Sequence, residues 1–222
     1  MGSWELTILS VNVGKPRDVL SHGKIVRTGI FKSPVAGPVA VRRLNLDGDE
    51  QADLRVHGGL DKAVYVYPSE HYAFWRQELP GIEFPWGMFG ENLTMEGLIE
   101  ADVRVGDRFA IGSAEFVATQ PRMPCYKLGI RFDRPDMVKR FLHSGRTGWY
   151  LAVVKEGRLA AGDEVFRTAR SSGRLTIAHV ASLFSGAVSD EDLMREASEL
   201  DALPEGWRDY FRQRLTRGTV PG

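Results

Sequence analysis

Cys125 is the only cysteine in a chain of 222 residues. It lies in the segment "QPRMPCYK", Gln120 to Lys127, with Pro121 and Pro124 before it and the cations Arg122 and Lys127 on either side. Prolines fix φ and hold the turn still. Positive charge beside a thiol favours the thiolate, the form that attacks electrophiles and binds metals. Three readings fit those residue types. A buried structural cysteine is the plainest, but it belongs inside an apolar run, and this segment is not one. A nucleophile needs a base, which His57 can supply only if folding brings it near. A thiolate carrying a soft metal or a persulfide needs the cations that are present. Structural zinc needs four ligands, and the sequence has neither a cysteine cluster nor a closely spaced histidine pair.

Three further segments combine glycine with hydrogen-bonding residues between strand-like runs: "LDGDEQAD" (Leu46 to Asp53), "VHGGLDKAVY" (Val56 to Tyr65) and "FGENLT" (Phe89 to Thr94). Loops of this kind on a rigid sheet are where function concentrates. In the second, Gly58 and Gly59 let backbone N–H groups approach an anion, and Lys62 adds a point charge. A hairpin turn with His57 at the surface explains the same residues. In the third, Asn92 either faces a ligand or bonds its own backbone in a turn. In the first, Asp49 and Glu50 read as solvated turn residues.

The elements that must position these loops are mostly strands. "ELTILSVNV", "GPVAVRRL", "KAVYVYP", "AEFVATQ" and "WYLAVVKEG" are β-branched, aromatic or alternating runs bounded by turn residues. In "KAVYVYP", Tyr65 and Tyr67 face opposite to Val64 and Val66. Gly106-Asp107 and Gly162-Asp163 each read as a tight turn feeding a strand. Many short strands with such turns predict a closed or half-closed barrel. Two helices interrupt them. "SEHYAFWRQEL" has Ser69 as N-cap, and "RPDMVKRFLHSG" ends at Gly145.

Past "RSSGR" the strands stop. "TIAHVASLF", "SDEDLMREASEL" (Ser189 as N-cap) and "EGWRDYFRQRLTRG" predict three short helices. The division falls at residues 1–170 and 171–222. The trihelical shape is one used by DNA readers. However, residues 173–222 hold six Arg against eight Asp and Glu, whereas a DNA reader presents a basic face. Packing, dimerisation or partner docking fits better. Over the whole chain Lys+Arg and Asp+Glu are both 29, so no overall field draws in nucleic acid, and any charge used for binding is local. Neither a signal peptide nor an apolar membrane span is visible, and a lone cysteine suits a reducing compartment. The expectation is a cytoplasmic protein with no membrane or nucleic-acid partner.

In order, "LDGDEQADLRVHGGLDKAVYVYPSEHYAFW", "FGENLT", "VGDRF" and "QPRMPCYKL" resemble the motifs of the MOSC domain family, in the bacterial subgroup with a C-terminal three-helix extension. The resemblance covers nearly the whole chain. It implies a mainly β fold with added helices (α+β): a MOSC-type β-barrel followed by a small three-helix domain. It also implies the molybdenum cofactor, molybdopterin carrying molybdenum, with Cys125 as the metal ligand. His57, Gly58, Gly59, Asn92 and Arg122 are then cofactor-binding residues, and Lys62 and Lys127 join them on charge grounds. The activity implied is reduction of N-hydroxylated compounds such as hydroxylaminopurines and amidoximes. Electrons would come from a separate protein of reductase or ferredoxin type, since one cysteine cannot hold an iron–sulfur cluster. A homodimer is expected from the resemblance alone. The alternative is a sulfur carrier, with a persulfide on Cys125 delivered to metal–sulfur cluster or cofactor assembly.

Overall fold

The computed structural model describes residues 6–52 and 58–218. In chain order the strands are β1 (Thr7–Val13), β2 (Arg17–Ser21), β3 (Lys24–Thr28), β4 (Ser33–Pro34), β5 (Val39–Val41), β6 (Val64–Pro68), β7 (Leu93–Glu96), β8 (Arg108–Ile111), β9 (Ala114–Pro121), β10 (Trp149–Lys155), β11 (Gly157–Leu159) and β12 (Val165–Ala169). The helices are α1 (Glu70–Glu78), α2 (Tyr126–Phe132), α3 (Met137–Ser144), α4 (Ile177–Ser185), α5 (Glu191–Glu199) and α6 (Glu205–Gly218), with a 3-10 turn at Leu60–Lys62.

Eight strands form the main sheet in the order β12-β8-β9-β10-β6-β7-β1-β4, and β11-β5 and β2-β3 pair separately. The expected barrel is not formed. β12 and β4 are the two ends of an open sheet. β7 pairs along one edge of β1, and β4 takes the other edge at Asn12 and Val13. Along the rest of that edge, Ile8 N donates to Asp163 O, Gly162 N to Ile8 O and Val165 N to Leu6 O, around one isolated bridge from Thr7 to Glu164. These bonds reach the turn that leads into β12 and extend into no strand-to-strand ladder, so the sheet does not close. The fold is mixed α/β with a C-terminal three-helix bundle.

The two faces of β6 seed two cores. Val64 and Val66 join the larger apolar core with Phe109, Phe116 and Leu151, which also receives Ile177, Val180 and Leu183 of α4 and Phe211 of α6. Tyr65 and Tyr67 turn into an aromatic cluster with Tyr72, Trp75, Phe89 and Phe141. This is the strict period of two that a strand imposes. Tyr67 stacks on Phe89 with centroids 4.3 Å apart, and its hydroxyl accepts from Trp75 Nε1 at 2.7 Å. Burying each such ring contributes about 2–3 kcal/mol.

The capping expectations hold unevenly. Ser69 precedes α1 but makes no side-chain cap. At α5 the cap is Asp190, not Ser189: its carboxylate accepts from Leu193 N at 2.9 Å. α3 ends as expected at Gly145, with φ 66°. α2 was not anticipated. It is seven residues long with a glycine in its middle. Gly129 is there for space, because a Cβ at that position would meet Arg134 O at 2.9 Å.

Candidate functional site

β9, β10 and β6 lie side by side, and their register builds one wall of a pocket. Tyr150 stands opposite Gln120 on one side and opposite Tyr65 on the other. The Tyr65 and Tyr150 rings lie 5.3 Å apart. Where β9 ends, Arg122 follows, and three residues later Cys125 opens α2 in an extended conformation (φ −115°, ψ 172°). Leu128 N donates to Cys125 O at 2.9 Å, which fixes the cysteine backbone. The pocket has a cavity volume of about 90 Å³ and opens to solvent, and Cys125 lines it half-buried. Around it stand Arg122, Lys127, Lys32, Lys62, Asn92, Gly58, Tyr65 and Tyr150.

Electrostatics give the pocket its character. Four cations line it, namely Lys32, Lys62, Arg122 and Lys127, together with one carboxylate, Glu50. Lys32 is already matched: its Nζ lies 2.7 Å from Asp49 Oδ2, with side chains 9% and 0% exposed. Burial lowers the Lys32 ammonium from its ordinary value, against the pull of Asp49. Burial likewise lowers Lys62, with Asp61 opposing. Arg122 is the sharpest case. Burial alone would lower its guanidinium, but the Tyr65 and Tyr150 hydroxyls and the Cys125 thiol outweigh it, so the group sits above its ordinary value. Its Cζ lies 5.0 Å from the Tyr65 ring centroid and 5.4 Å from that of Phe141. Arg122 Nη1 is buried without a hydrogen-bond partner among the described residues. Buried donors are nearly always paired, so an orphaned one on a charged group marks a place for a ligand or an ordered water.

Of the sequence-predicted residues, Gly58, Lys62, Asn92, Arg122, Cys125 and Lys127 border this one pocket. Gly59 does not: it borders a neighbouring cavity shared with Trp207 and Tyr210 of α6. His57 lies outside the described residues. Asn92 lines the pocket, but its polar atoms are committed elsewhere. Its Oδ1 accepts from Tyr65 N at 3.0 Å, and its Nδ2 donates to Asp49 Oδ2 at 2.9 Å and to Asn12 O at 3.3 Å. Its role here is to lock β6 to β1. The neighbouring Glu91 is wholly buried. It accepts from the Tyr72 hydroxyl, Gly87 N at 2.8 Å, Phe89 N at 3.0 Å and Thr94 Oγ1 at 3.0 Å.

Asp49, expected to be solvated, is 1% exposed, whereas Glu50 is exposed. Lys32, Thr28, Tyr65 and Tyr150 are pocket residues that sequence reasoning missed. No local motif announces Lys32; only its buried partner does, and that partner is 17 positions away.

The expectation of a molybdenum cofactor, with Cys125 as metal ligand, is corrected by the donor set. Among the described residues no group of three or more His, Cys, Asp or Glu is placed to hold a metal ion, and the chain has a single cysteine. The side chains around that sulfur are mainly cations and hydroxyls, which attract anions. Such a set does not fit a metal centre.

Among the described residues no helix is long and apolar enough to cross a membrane. The MOSC domain family matches residues 53–166, and the YiiM-like 3-alpha helix domain matches residues 175–218. The YflK protein of Bacillus subtilis is 39% identical over 212 residues, covering 95% of each chain. A protein of Gibberella moniliformis is 30% identical over 211 residues, which is 94% of this chain but 37% of that longer one. Among solved structures, YiiM from Geobacillus stearothermophilus superposes with a TM-score of 0.79 at 35% identity, covering 95% of this chain and 99% of that one. The likeness runs through both the part of the chain that holds Cys125 and the three C-terminal helices, and the chain belongs to the MOSC domain family, with a C-terminal YiiM-like 3-alpha domain.

Proposed function

We propose that the pocket seats a phosphate-bearing organic molecule against Cys125, and that the chain works as a reductase of N-hydroxylated compounds. The observation that carries the binding half is Arg122: a buried guanidinium with one donor unpaired among the described residues, in a wall shared with Cys125 and three lysines. Arg presents a rigid fork that pairs with phosphate through two parallel hydrogen bonds, and lysines add point charges. Lys32 is neutralised by Asp49, while Arg122 and Lys127 bring positive charge to the ligand. That is enough charge for a phosphate monoester.

Support for the reductive half comes from the Gibberella relative, which is named "Reductase". Removing the oxygen of an N–OH group takes two electrons and two protons and releases water. The chain has one cysteine and so no dithiol pair that could give up those electrons by closing to a disulfide. A separate donor protein supplies them. The test is turnover of a hydroxylaminopurine by the native protein with a chemical electron donor. Amine formation that disappears in Cys125→Ser is expected. Equal rates in the two proteins would sink the proposal.

A second reading keeps the same pocket and makes Cys125 a persulfide carrier. The observation that favours it is a half-exposed thiol with no second cysteine to displace the bound sulfur as a disulfide. Intact-mass measurement on freshly isolated protein decides it, by the presence or absence of one added sulfur atom on Cys125.

A further inference from the structure

The β2–β3 hairpin stands apart from the main sheet. Its two-residue turn, His22 and Gly23, has φ of 48° and 74°, the positive pair that joins neighbouring strands tightly. The register then sets Leu20 opposite Ile25. Both are bared to solvent, at 77% and 75% exposure, and Tyr126 follows at 62%; these are the three most exposed large apolar side chains among the described residues. A groove of about 570 Å³, open to solvent, runs between the hairpin and α2–α3. Val19 and Leu20 line one side of it, and Tyr126, Ile130, Pro135 and Val138 the other. A two-stranded ribbon is marginally stable in water by itself, and apolar side chains gathered on one exposed surface mark an interaction site.

Positive charge is concentrated on the same two segments. Residues 15–27 hold four cations against one carboxylate, Asp18, and residues 126–140 hold five against two, Asp133 and Asp136. Nine cations against three carboxylates leave a formal +6, in a chain whose total is zero. Part of that charge is paired, Arg27 with Asp18, Arg134 and Arg140 with Asp136, and Arg140 also with Glu78 of α1. Arg17 and Arg131 are not. Both lie over the Phe31 ring, with Cζ 3.9 Å and 5.0 Å from its centroid, and neither has an ion-pair partner among the described residues. Lys15, Lys24 and Lys139 are exposed. Such a patch steers a negatively charged protein to it and speeds its association.

α2 is the wall between this groove and the Cys125 pocket. Cys125 and Lys127 line the pocket, while Tyr126, Gly129 and Ile130 line the groove. We propose that the groove is the docking surface for the separate electron donor, an acidic redox protein whose carboxylates face the cations and whose apolar contact covers Leu20, Ile25 and Tyr126. The proposal rests on the chain's reading as a reductase. Charge selects this partner over a second copy of the chain, because a two-fold pair built on the groove would set one positive patch against another. Docking here brings the donor to within the thickness of one helix of Cys125.

The experiment measures binding of an acidic [2Fe–2S] ferredoxin to the full chain at low ionic strength, with an acidic flavodoxin as second probe. Lys15→Glu with Lys24→Glu is expected to slow association about tenfold or more. Arg170→Glu with Arg195→Glu, the same change of charge away from the groove, should leave it nearly unchanged. Leu20→Ser with Ile25→Ser should speed dissociation about tenfold or more, through the lost apolar contact. All of these variants should turn over a hydroxylaminopurine at the wild-type rate with a chemical electron donor, which needs no docking. Binding of neither probe, or equal slowing by the two charge-reversed pairs, would overturn the proposal. So would a dimer in sedimentation that Leu20→Ser with Ile25→Ser splits, since a second copy would then cover the groove, or tighter binding of a short DNA duplex than of either protein. Absence of wild-type turnover with the chemical donor would sink the reductase reading itself, and the donor's role with it.

Discussion

Replacing Asp49 by Asn removes the countercharge of Lys32 and leaves the cation in place. Lys32 Nζ is 2.7 Å from Asp49 Oδ2, and the lysine side chain is 9% exposed. The other carboxylate oxygen accepts from Gly14 N at 3.0 Å. Breaking a buried pair from one side costs about 3–5 kcal/mol. The loss has a ceiling, because Lys32 can give up its proton. From an ordinary value of 10.5, neutralising it costs about 5 kcal/mol at pH 7 and about 2 kcal/mol at pH 9, at roughly 1.4 kcal/mol per pH unit. The sign follows from linkage. Burial holds the folded lysine below its unfolded value, so between the two the unfolded chain binds more protons, and stability rises with pH. Urea unfolding of wild type and Asp49→Asn should show a deficit of about 3–5 kcal/mol at pH 7 that shrinks to about 2 kcal/mol at pH 9. A freed Lys32 charge should also tighten phosphate binding at pH 7. A deficit equal at both pH values would refute the reasoning, since it would come from the lost acceptor and not from the stranded cation.

Glu91→Ala should cost at least about 4 kcal/mol in urea unfolding, because it strands two backbone N–H groups and the Tyr72 hydroxyl in the interior. Burial pushes the Glu91 carboxyl above its ordinary value of 4.5. The wild type therefore gains stability as pH falls through that raised value, and Glu91→Gln should lack that part of the pH dependence. Phosphate affinity should weaken on the alkaline side before an ordinary lysine would discharge, since burial lowers Lys62; calorimetry at stepped pH reads this, and Lys62→Ala should flatten it.

Much of the architecture was legible because it follows local periodicity. The alternation in "VYVYP" forecast two faces, and Val66 and Tyr67 do enter different cores. The C-terminal helices announced themselves by apolar spacing. Sheet closure was not legible: strand count and turn residues say nothing of whether the first and last strands share a ladder, and here β1 meets only the turn before β12, through a few backbone hydrogen bonds and one isolated bridge. α2 escaped because it is too short for a periodic signal and holds Gly129. At the site, Arg122 and Lys127 could be read from their nearness to Cys125. Lys32 and Asp49 could not, since their pairing depends on how β4 beside Lys32 pairs with β1, whose following residue Gly14 is hydrogen-bonded to Asp49. The expectation of Cys125 as a metal ligand failed for a related reason. A motif reports the residues around a cysteine, whereas ligation needs side chains converging in space.

The central claim is that the pocket concentrates anions at Cys125. The chain's single thiol makes this directly measurable, through alkylation by negatively charged iodoacetate relative to neutral iodoacetamide, in the folded protein and in the urea-unfolded chain. The account predicts a higher iodoacetate-to-iodoacetamide rate ratio in the folded protein, one that falls with added salt or phosphate and in Arg122→Met. A ratio no higher than that of the unfolded chain and insensitive to phosphate would contradict it.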